Sequence, residues 1–267
     1  MGADIKKLRN RIKSVDSTLH LTKAMGLVAS SKIRRATDAM NKSKQYERAF
    51  CEAMDALIAS PECQKSPYMQ RREGKRIRLI VIAGDRGLAG GYNANIFRAL
   101  REYPDAEIIP IGKRACDKLG REANSSEHFS SDDALALAKE LCEDFKSEKY
   151  DTLGILCTKY VSMLTQEPEI RWLLPLERDK DNSVHGTIFE PDEASIMSIA
   201  IAEYICARIM SAIRESFASE IASRRNAMDS AGKNAQQMID ELGLEYNRAR
   251  QGAITQELTE IVAGANA

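Results

Sequence analysis

All seven prolines of this 267-residue chain lie between positions 61 and 191, leaving the first 60 residues and the last 76 without any. Proline removes a backbone donor and clashes with the preceding turn, so it breaks helix interiors. Two long proline-free ends with helical patterning therefore predict two long helices flanking one compact domain. At a rise of about 1.5 Å per residue, residues 4–58 would span roughly 80 Å and residues 192–264 about 110 Å. A domain made from the middle would be only about 30–40 Å across. The expected division is an N-terminal coiled-coil helix (1–60), a linker (61–74), a central α/β domain (75–191) and a C-terminal coiled-coil helix (192–267). Such helices must pack on each other or on a partner, as a shaft would.

Steps of three and four from Ile5 give Leu8, Ile12, Val15, Leu19, Thr22, Gly26, Ala29, Ile33, Ala36 and Met40. This is a heptad-like seam of a left-handed coiled coil. Its stretch 22–29 is small rather than bulky, so a partner backbone could approach there. Ile239, Leu242, Tyr246, Ala249 and Ala253 form a matching seam at the other end. Antiparallel pairing would leave the tip of the longer C-terminal helix extending alone. A plain helical hairpin acting as spacer or dimerisation arm fits the same periodicity. The weak seam at 232–237 (GKNAQQ), where Ala235 is the one clear core residue, argues for a rod that touches other subunits.

Charge supports pairing of the ends. The net charge is zero, yet residues 1–50 hold 12 Lys/Arg against 4 Asp/Glu, and residues 192–267 hold 7 against 11. Opposite signs attract. A basic arm can also meet nucleic acid, but stacking aromatics are absent before Tyr46, and no nucleic-acid partner is expected. No continuous 18-residue apolar run predicts a membrane span, and the first residues lack a secretory h-region. Cys51, Cys63, Cys116, Cys142, Cys157 and Cys206 form no CxxC pair, as suits reduced thiols rather than a disulfide frame or zinc site. His20, His128 and His185 are far apart in sequence. No metal or cofactor is expected.

Within the middle, IRLIVIA (77–83) reads as a strand buried on both faces. A turn, GDRGLAGG, and a helix from Tyr92 follow. EIIPIG (107–112), TLGILCTKY (152–160) and EIRWLLPL (169–176) are further strands. KRACDKLGRE and the segment 131–150, capped by Ser131 or Asp132, are helices. The alternation implies a three-layer, Rossmann-like domain with a mainly parallel sheet. Gly84, Gly87, Gly90 and Gly91 could expose amides to a phosphate at a helix N-terminus. Their GxxGxxGG spacing is neither GxGxxG nor a P-loop, and tight turn chemistry beside a closely packed helix explains it as well. Asp85 and Arg86 would pair with each other or reach a neighbouring subunit. No nucleophile–base or paired-carboxylate arrangement offers catalysis.

Four segments carry a resemblance to a known family: TKAMGLVASSKIRRA (22–36), DRGLAGGYNANI (85–96), LEYNRARQGAITQELTEIVAGA (244–265) and, more loosely, ASEIASRRNAMDSAGKNA (218–235). In order and spacing they resemble the gamma subunit of F-type (F1Fo) ATP synthase, bacterial type, over effectively the whole chain. The resemblance implies a non-catalytic rotor stalk. Its terminal helices would form an antiparallel coiled coil inside a ring of three alpha and three beta subunits, with the sheet domain near the epsilon subunit and the c-ring of Fo. The chain would couple ion-driven rotation to the nucleotide cycle of the catalytic beta subunits. Membrane contact would run through Fo alone, on the cytoplasmic side of the cell membrane, with no homo-oligomer. The alternatives are a nucleotide-binding α/β protein with helical arms and a self-associating coiled coil. Neither the coupling ion nor the net direction is encoded here.

Carried over by the resemblance, Lys23 and Met25 match positions near the beta subunit's acidic lever. Arg248, Arg250, Gln251, Thr255 and Glu257 match positions used against beta-subunit loops. Ile254, Leu258, Ile261 and Val262 would be an apolar bearing tip, and Asp85, Arg86, Gly87, Gly90 and Gly91 mark the central-domain turn. Departures from the family are Ala89 in DRGLAGG, the absence of a cysteine-bearing insertion, and Arg225, which has carboxylates such as Asp229 one turn on within pairing reach. Gly26, Gly232, Gly243 and Gly252 stand at helix-interior positions where larger residues are usual. They are drift tolerated by bracing partners, or they soften the shaft.

Overall fold

The computed structural model describes residues 2–122, 124–177 and 189–265. His185 and the remainder of 178–188 lie outside the described residues. Helix α1 covers Gly2–Ala59, α2 Tyr92–Leu100, α3 Lys113–Leu119, α4 Ser131–Lys146 and α5 Glu193–Ala265. Strands β1 (Ile77–Ile82), β2 (Glu107–Ile111), β3 (Thr152–Tyr160) and β4 (Gln166–Leu174) form one sheet in the order β2-β1-β3-β4. The first three are parallel and β4 runs antiparallel to β3, so the sheet is mainly parallel as expected. The chain divides into two compact units, one made of α1 up to Ser30 with α5 from Arg224 on, the other of Ser31–Ser223.

In the sheet unit, successive side chains of β1 point to opposite faces. Leu79 and Val81 pack with Ile96 of α2 and Leu156. Ile80 and Ile82 face α4, Met54, Leu57 and Ile58 of α1, and Met197, Ile201, Ile205, Ile209 and Ile213 of α5. Three layers result. Residues 61–74 include Tyr68, which is 2% exposed and stacks on Phe145 at 6.0 Å. The cap of α4 is Ser130, one residue earlier than expected. Its hydroxyl accepts from the Asp133 N–H while Asp133 accepts from the Ser130 N–H, a reciprocal capping box.

No run of 18 residues in α5 is continuously apolar, but an 18-residue window of the helix is apolar enough by mean composition to pass a test for a membrane span. Half of that window is buried inside the protein. The isoleucines at 201, 205, 209 and 213, spaced four apart, face the sheet unit's core, which accounts for the hydropathy. The six cysteines are free thiols. Burial pushes Cys157 up to about 12 and Cys142 to about 11, so both stay protonated at neutral pH.

In the helical unit, the two segments run antiparallel. A Cβ added at Gly26 would lie 3.7 Å from Met228 Cβ, whereas one at Gly232 would lie 3.6 Å from Thr22 Oγ1 and 3.9 Å from Leu19 Cδ1. The predicted seam is the inner face: Leu19, Thr22 and Ala29 are buried, and Ile5, Leu8, Ile12, Val15 and Gly26 half-buried. Opposite them Met228, Ala235 and Leu242 are buried, and Ile239, Tyr246, Ala249 and Ala253 half-buried. Every residue of 254–264 is exposed.

Candidate functional site

Two places carry the residues singled out by sequence. In the helical unit, Lys23 is exposed and Met25 half-buried, two residues apart on α1. On α5, Arg248, Arg250, Gln251, Thr255 and Glu257 are all exposed, and the Thr255 hydroxyl donates to the Gln251 carbonyl at 2.9 Å. Ile254, Leu258, Ile261 and Val262 are 48%, 58%, 67% and 59% exposed. Their i, i+4, i+7, i+8 spacing sets them on one stripe, and four large apolar residues so aligned form a surface that a partner would cover. Further large apolar side chains are exposed on α1, with Leu21, Leu27 and Val28 at 57–73% exposure. A groove lined by Leu19, Thr22, Gly26, Met228 and Gly232 is rimmed by Lys23, Arg225 and Lys233. Asp229 is taken by Lys233 at 2.8 Å, one turn on. Of the two cations one turn away, Lys233 rather than Arg225 makes the pair: Glu/Asp four residues N-terminal to Lys is the favourable order on a helix.

The turn after β1 is organised by Asp85. Oδ1 accepts from the N–H groups of Lys113 and Ser126, each at 3.0 Å. Oδ2 accepts from the Ser125 hydroxyl at 2.6 Å and the Glu127 N–H at 3.0 Å. Burial alone would push this carboxyl up, but the Ser125 hydroxyl and the three backbone donors outweigh it and hold it below the usual carboxylate range. Asp85 is thus consumed internally. It ties the turn to the start of α3 and the loop before α4, neither pairing with Arg86 nor reaching outward. Arg86 lies 3.5 Å from Glu127, which also receives Lys32 at 3.3 Å.

The glycines of the turn have packing reasons. A Cβ at Gly84 would fall 2.7 Å from the Glu220 carboxyl carbon, and Glu220 is 3% exposed. The Gly84 N–H donates to Asn93 Oδ1 at 2.9 Å. Gly90 has φ 55°, Gly91 caps α2, and Gly87 lies beside Arg114. A buried carboxylate packed against the first glycine is the opposite of the positive cradle that a phosphate requires. The tight-turn reading accounts for the motif.

The sequence reading missed the polar face of α5. Ser211, Glu215, Ser216, Ser219 and Glu220 are each at most 3% exposed. Glu215 receives Lys44 at 2.6 Å, Arg171 at 2.7 Å and the Tyr160 N–H at 3.0 Å. The signal was present as a run of Ser and Glu at spacings of four, five, eight and nine within an otherwise apolar helix. Periodicity scored on apolar residues alone passes over it.

Residues 4–267 match the family model described as ATP synthase. The chain is 38% identical to the ATP synthase gamma chain of Alkaliphilus metalliredigens, covering 100% of this chain and 99% of that one. It is 34% identical to that of Geobacter metallireducens, over 98% of both chains. Among solved structures, a chain of the Euglena gracilis mitochondrial ATP synthase (OSCP/F1/c-ring) superposes with a TM-score of 0.70 at 18% identity, covering 100% of this chain and 95% of that one. The Tetrahymena thermophila central stalk/c-ring gives 0.63 at 21%, over 79% and 99%. At those identities the likeness is one of fold.

Proposed function

Because the chain belongs to the ATP synthase gamma-chain family, we propose that it is the central rotor stalk of an F1 sector, coupling rotation of a membrane c-ring to ATP synthesis or hydrolysis. The single observation that carries this reading is the full-length relationship at 34–38% identity. The antiparallel pairing of Gly26 with Met228 and of Thr22 with Gly232 supports it.

The partners are an alpha3beta3 ring, an epsilon subunit and the c-ring. The terminal helices (1–60 and 192–267) act as the coiled coil and residues 75–191 as the α/β domain, joined by 61–74. Lys23, Met25, Arg248, Arg250, Gln251, Thr255 and Glu257 meet the beta subunits, where Arg can grip a carboxylate bidentately and Met25 offers soft packing that re-forms as surfaces slide. Ile254, Leu258, Ile261 and Val262 turn in an apolar sleeve. The chain performs no chemistry: catalysis lies in the beta subunits. An asymmetric helix pair offers a different face to each of three identical neighbours. Differential contact is what shifts an equilibrium between conformational states, so rotation drives the three sites through different nucleotide states in turn. The complex sits at the cytoplasmic side of the cell membrane, and this chain reaches the membrane through Fo alone.

The test is reconstitution of the full chain with alpha and beta subunits, followed by single-molecule observation of a bead on the sheet unit during ATP hydrolysis. Unidirectional rotation is expected. Tight ATP or ADP binding by the isolated chain, with no assembly, would overturn the proposal in favour of a nucleotide-binding protein.

A further inference from the structure

A helix can be held on a sheet by apolar contact alone, and such contact is non-directional: it resists separation but leaves roll and slide comparatively free. Hydrogen bonds fix orientation, because they weaken steeply outside a narrow range of distance and angle. In the sheet unit, α5 is held by both kinds. Its isoleucines enter the apolar core, and its polar stripe is bonded group by group to four other elements. The Ser216 hydroxyl accepts the Thr158 N–H at 3.1 Å, and the Ser219 hydroxyl donates to the Thr158 carbonyl. The Tyr92 hydroxyl donates to the Ser216 carbonyl at 3.0 Å, and the Ser223 hydroxyl to the Ala89 carbonyl at 2.8 Å. Glu47 of α1 accepts from Arg208 at 2.9 Å and from the Ser211 hydroxyl.

Glu215 is the node of this network. Its fully buried carboxylate joins Lys44 of α1, the Tyr160 N–H at the end of β3, and Arg171 of β4. Arg171 also bonds Glu169 at 3.1 Å. The guanidinium is therefore held from both sides, and the clamp spans both long helices and two strands. Burial alone would raise the Glu215 carboxyl, but Lys44, Arg171 and the Tyr160 amide overcome it and keep the group ionised.

Stability alone does not account for such a cluster. A buried ion pair replaced by apolar groups of similar volume is often neutral or stabilising, whereas one partner removed alone leaves a costly orphan charge. What the charges add is directional fixing. The geometry points to Glu215 as the positioning residue that sets the rotational angle of α5 against the sheet, so that torque applied to the sheet unit passes into both long helices without slip. This rests on the rotor reading above. Helix α5 itself is continuous from Glu193 to Ala265.

The test uses the assembled complex in membrane vesicles with two variants. Glu215→Gln keeps the shape and an acceptor for Tyr160 but loses the charge. The triple variant Lys44→Met, Arg171→Met, Glu215→Leu removes the buried charges together: Glu169 keeps Lys159 at 3.9 Å, and the Tyr160 N–H loses its acceptor. Three quantities are measured: ATP hydrolysis rate, ions pumped per ATP against an imposed gradient, and the temperature at which the chain dissociates. For the triple variant the expected result is hydrolysis within twofold of wild type, an unchanged or higher dissociation temperature, and ions per ATP reduced at least threefold as the gradient rises. Glu215→Gln, which leaves Lys44 and Arg171 without their shared carboxylate, should lower the dissociation temperature and fall between wild type and the triple variant in ions per ATP. Wild-type ions per ATP in both variants would overturn the proposal. So would a pumping loss that merely tracks a lowered dissociation temperature, since that is the signature of a structural role. Absence of ATP-driven pumping with the wild-type chain would overturn the rotor reading itself, and the proposal with it.

Discussion

Replacing Asp85 by Asn tests the account of the central turn with almost no change in shape. Each carboxylate oxygen accepts from two donors, and three of the four are backbone N–H groups. An amide can present only one oxygen, so its NH2 group must face two donors in either orientation. The better orientation turns the NH2 toward Ser125, whose hydroxyl can rotate and accept, and toward the Glu127 N–H, which cannot. At least one donor is orphaned, and the remaining bonds lose their charge assistance. The expected cost is about 1–3 kcal/mol. Asp85→Ala orphans all four donors, including the N–H of Ser126, which is 3% exposed, and should cost about 3–5 kcal/mol. Urea unfolding of the full chain, followed by the fluorescence of its single tryptophan, Trp172 in β4, reads this unit. With a slope of about 2 kcal/mol per M, Asp85→Asn should move the midpoint down by about 0.5–1.5 M at pH 7. The pH dependence supplies a second arm. A carboxyl whose folded pKa is depressed stabilises the fold above its unfolded value of 3.8, and that stabilisation is lost as pH falls through the folded pKa. The gap between wild type and Asp85→Asn should therefore narrow below about pH 4. A midpoint within about 0.2 M of wild type at pH 7 would refute the reasoning.

The helix-interior glycines at 243 and 252 have nothing within 4 Å of an added Cβ, so Gly243→Ala and Gly252→Ala should each stabilise α5 by about 0.5–1 kcal/mol, seen as slower amide hydrogen exchange across residues 240–256. Gly112 has φ 99°, and an added Cβ would fall 2.0 Å from the Ala83 carbonyl oxygen; Gly112→Ala should lower the Trp172 unfolding midpoint by the equivalent of at least about 3 kcal/mol. The pair Leu258→Asp and Ile261→Asp alters residues 58% and 67% exposed, so the isolated chain should keep its stability within about 0.5 kcal/mol, while assembly with alpha and beta subunits, followed by size-exclusion chromatography, should weaken at least tenfold.

The four strands, α2, α3 and α4, and the seam from Ile5 to Met40 were legible because each depends on local periodicity or on residues adjacent in the chain. Thr152–Tyr160 reads as a strand in isolation, and it is one. The seam needed only steps of three and four. What local pattern could not supply is the partner of a polar side chain. Asp85 looked free to reach outward, yet its donors come from 28 to 42 residues away. Arg225 and Lys233 stand equally near Asp229 in sequence, and helix geometry selected Lys233. The hydropathy of α5 became interpretable once Ile201, Ile205, Ile209 and Ile213 were seen against the sheet. Glu215 lies 171 residues from Lys44 and 44 from Arg171. Apolar burial follows from composition and spacing because it is non-directional, so the sequence by itself determined which faces turn inward. Ionic and hydrogen-bonded contacts need specific atoms at specific angles, and only the tertiary structure brought those atoms together.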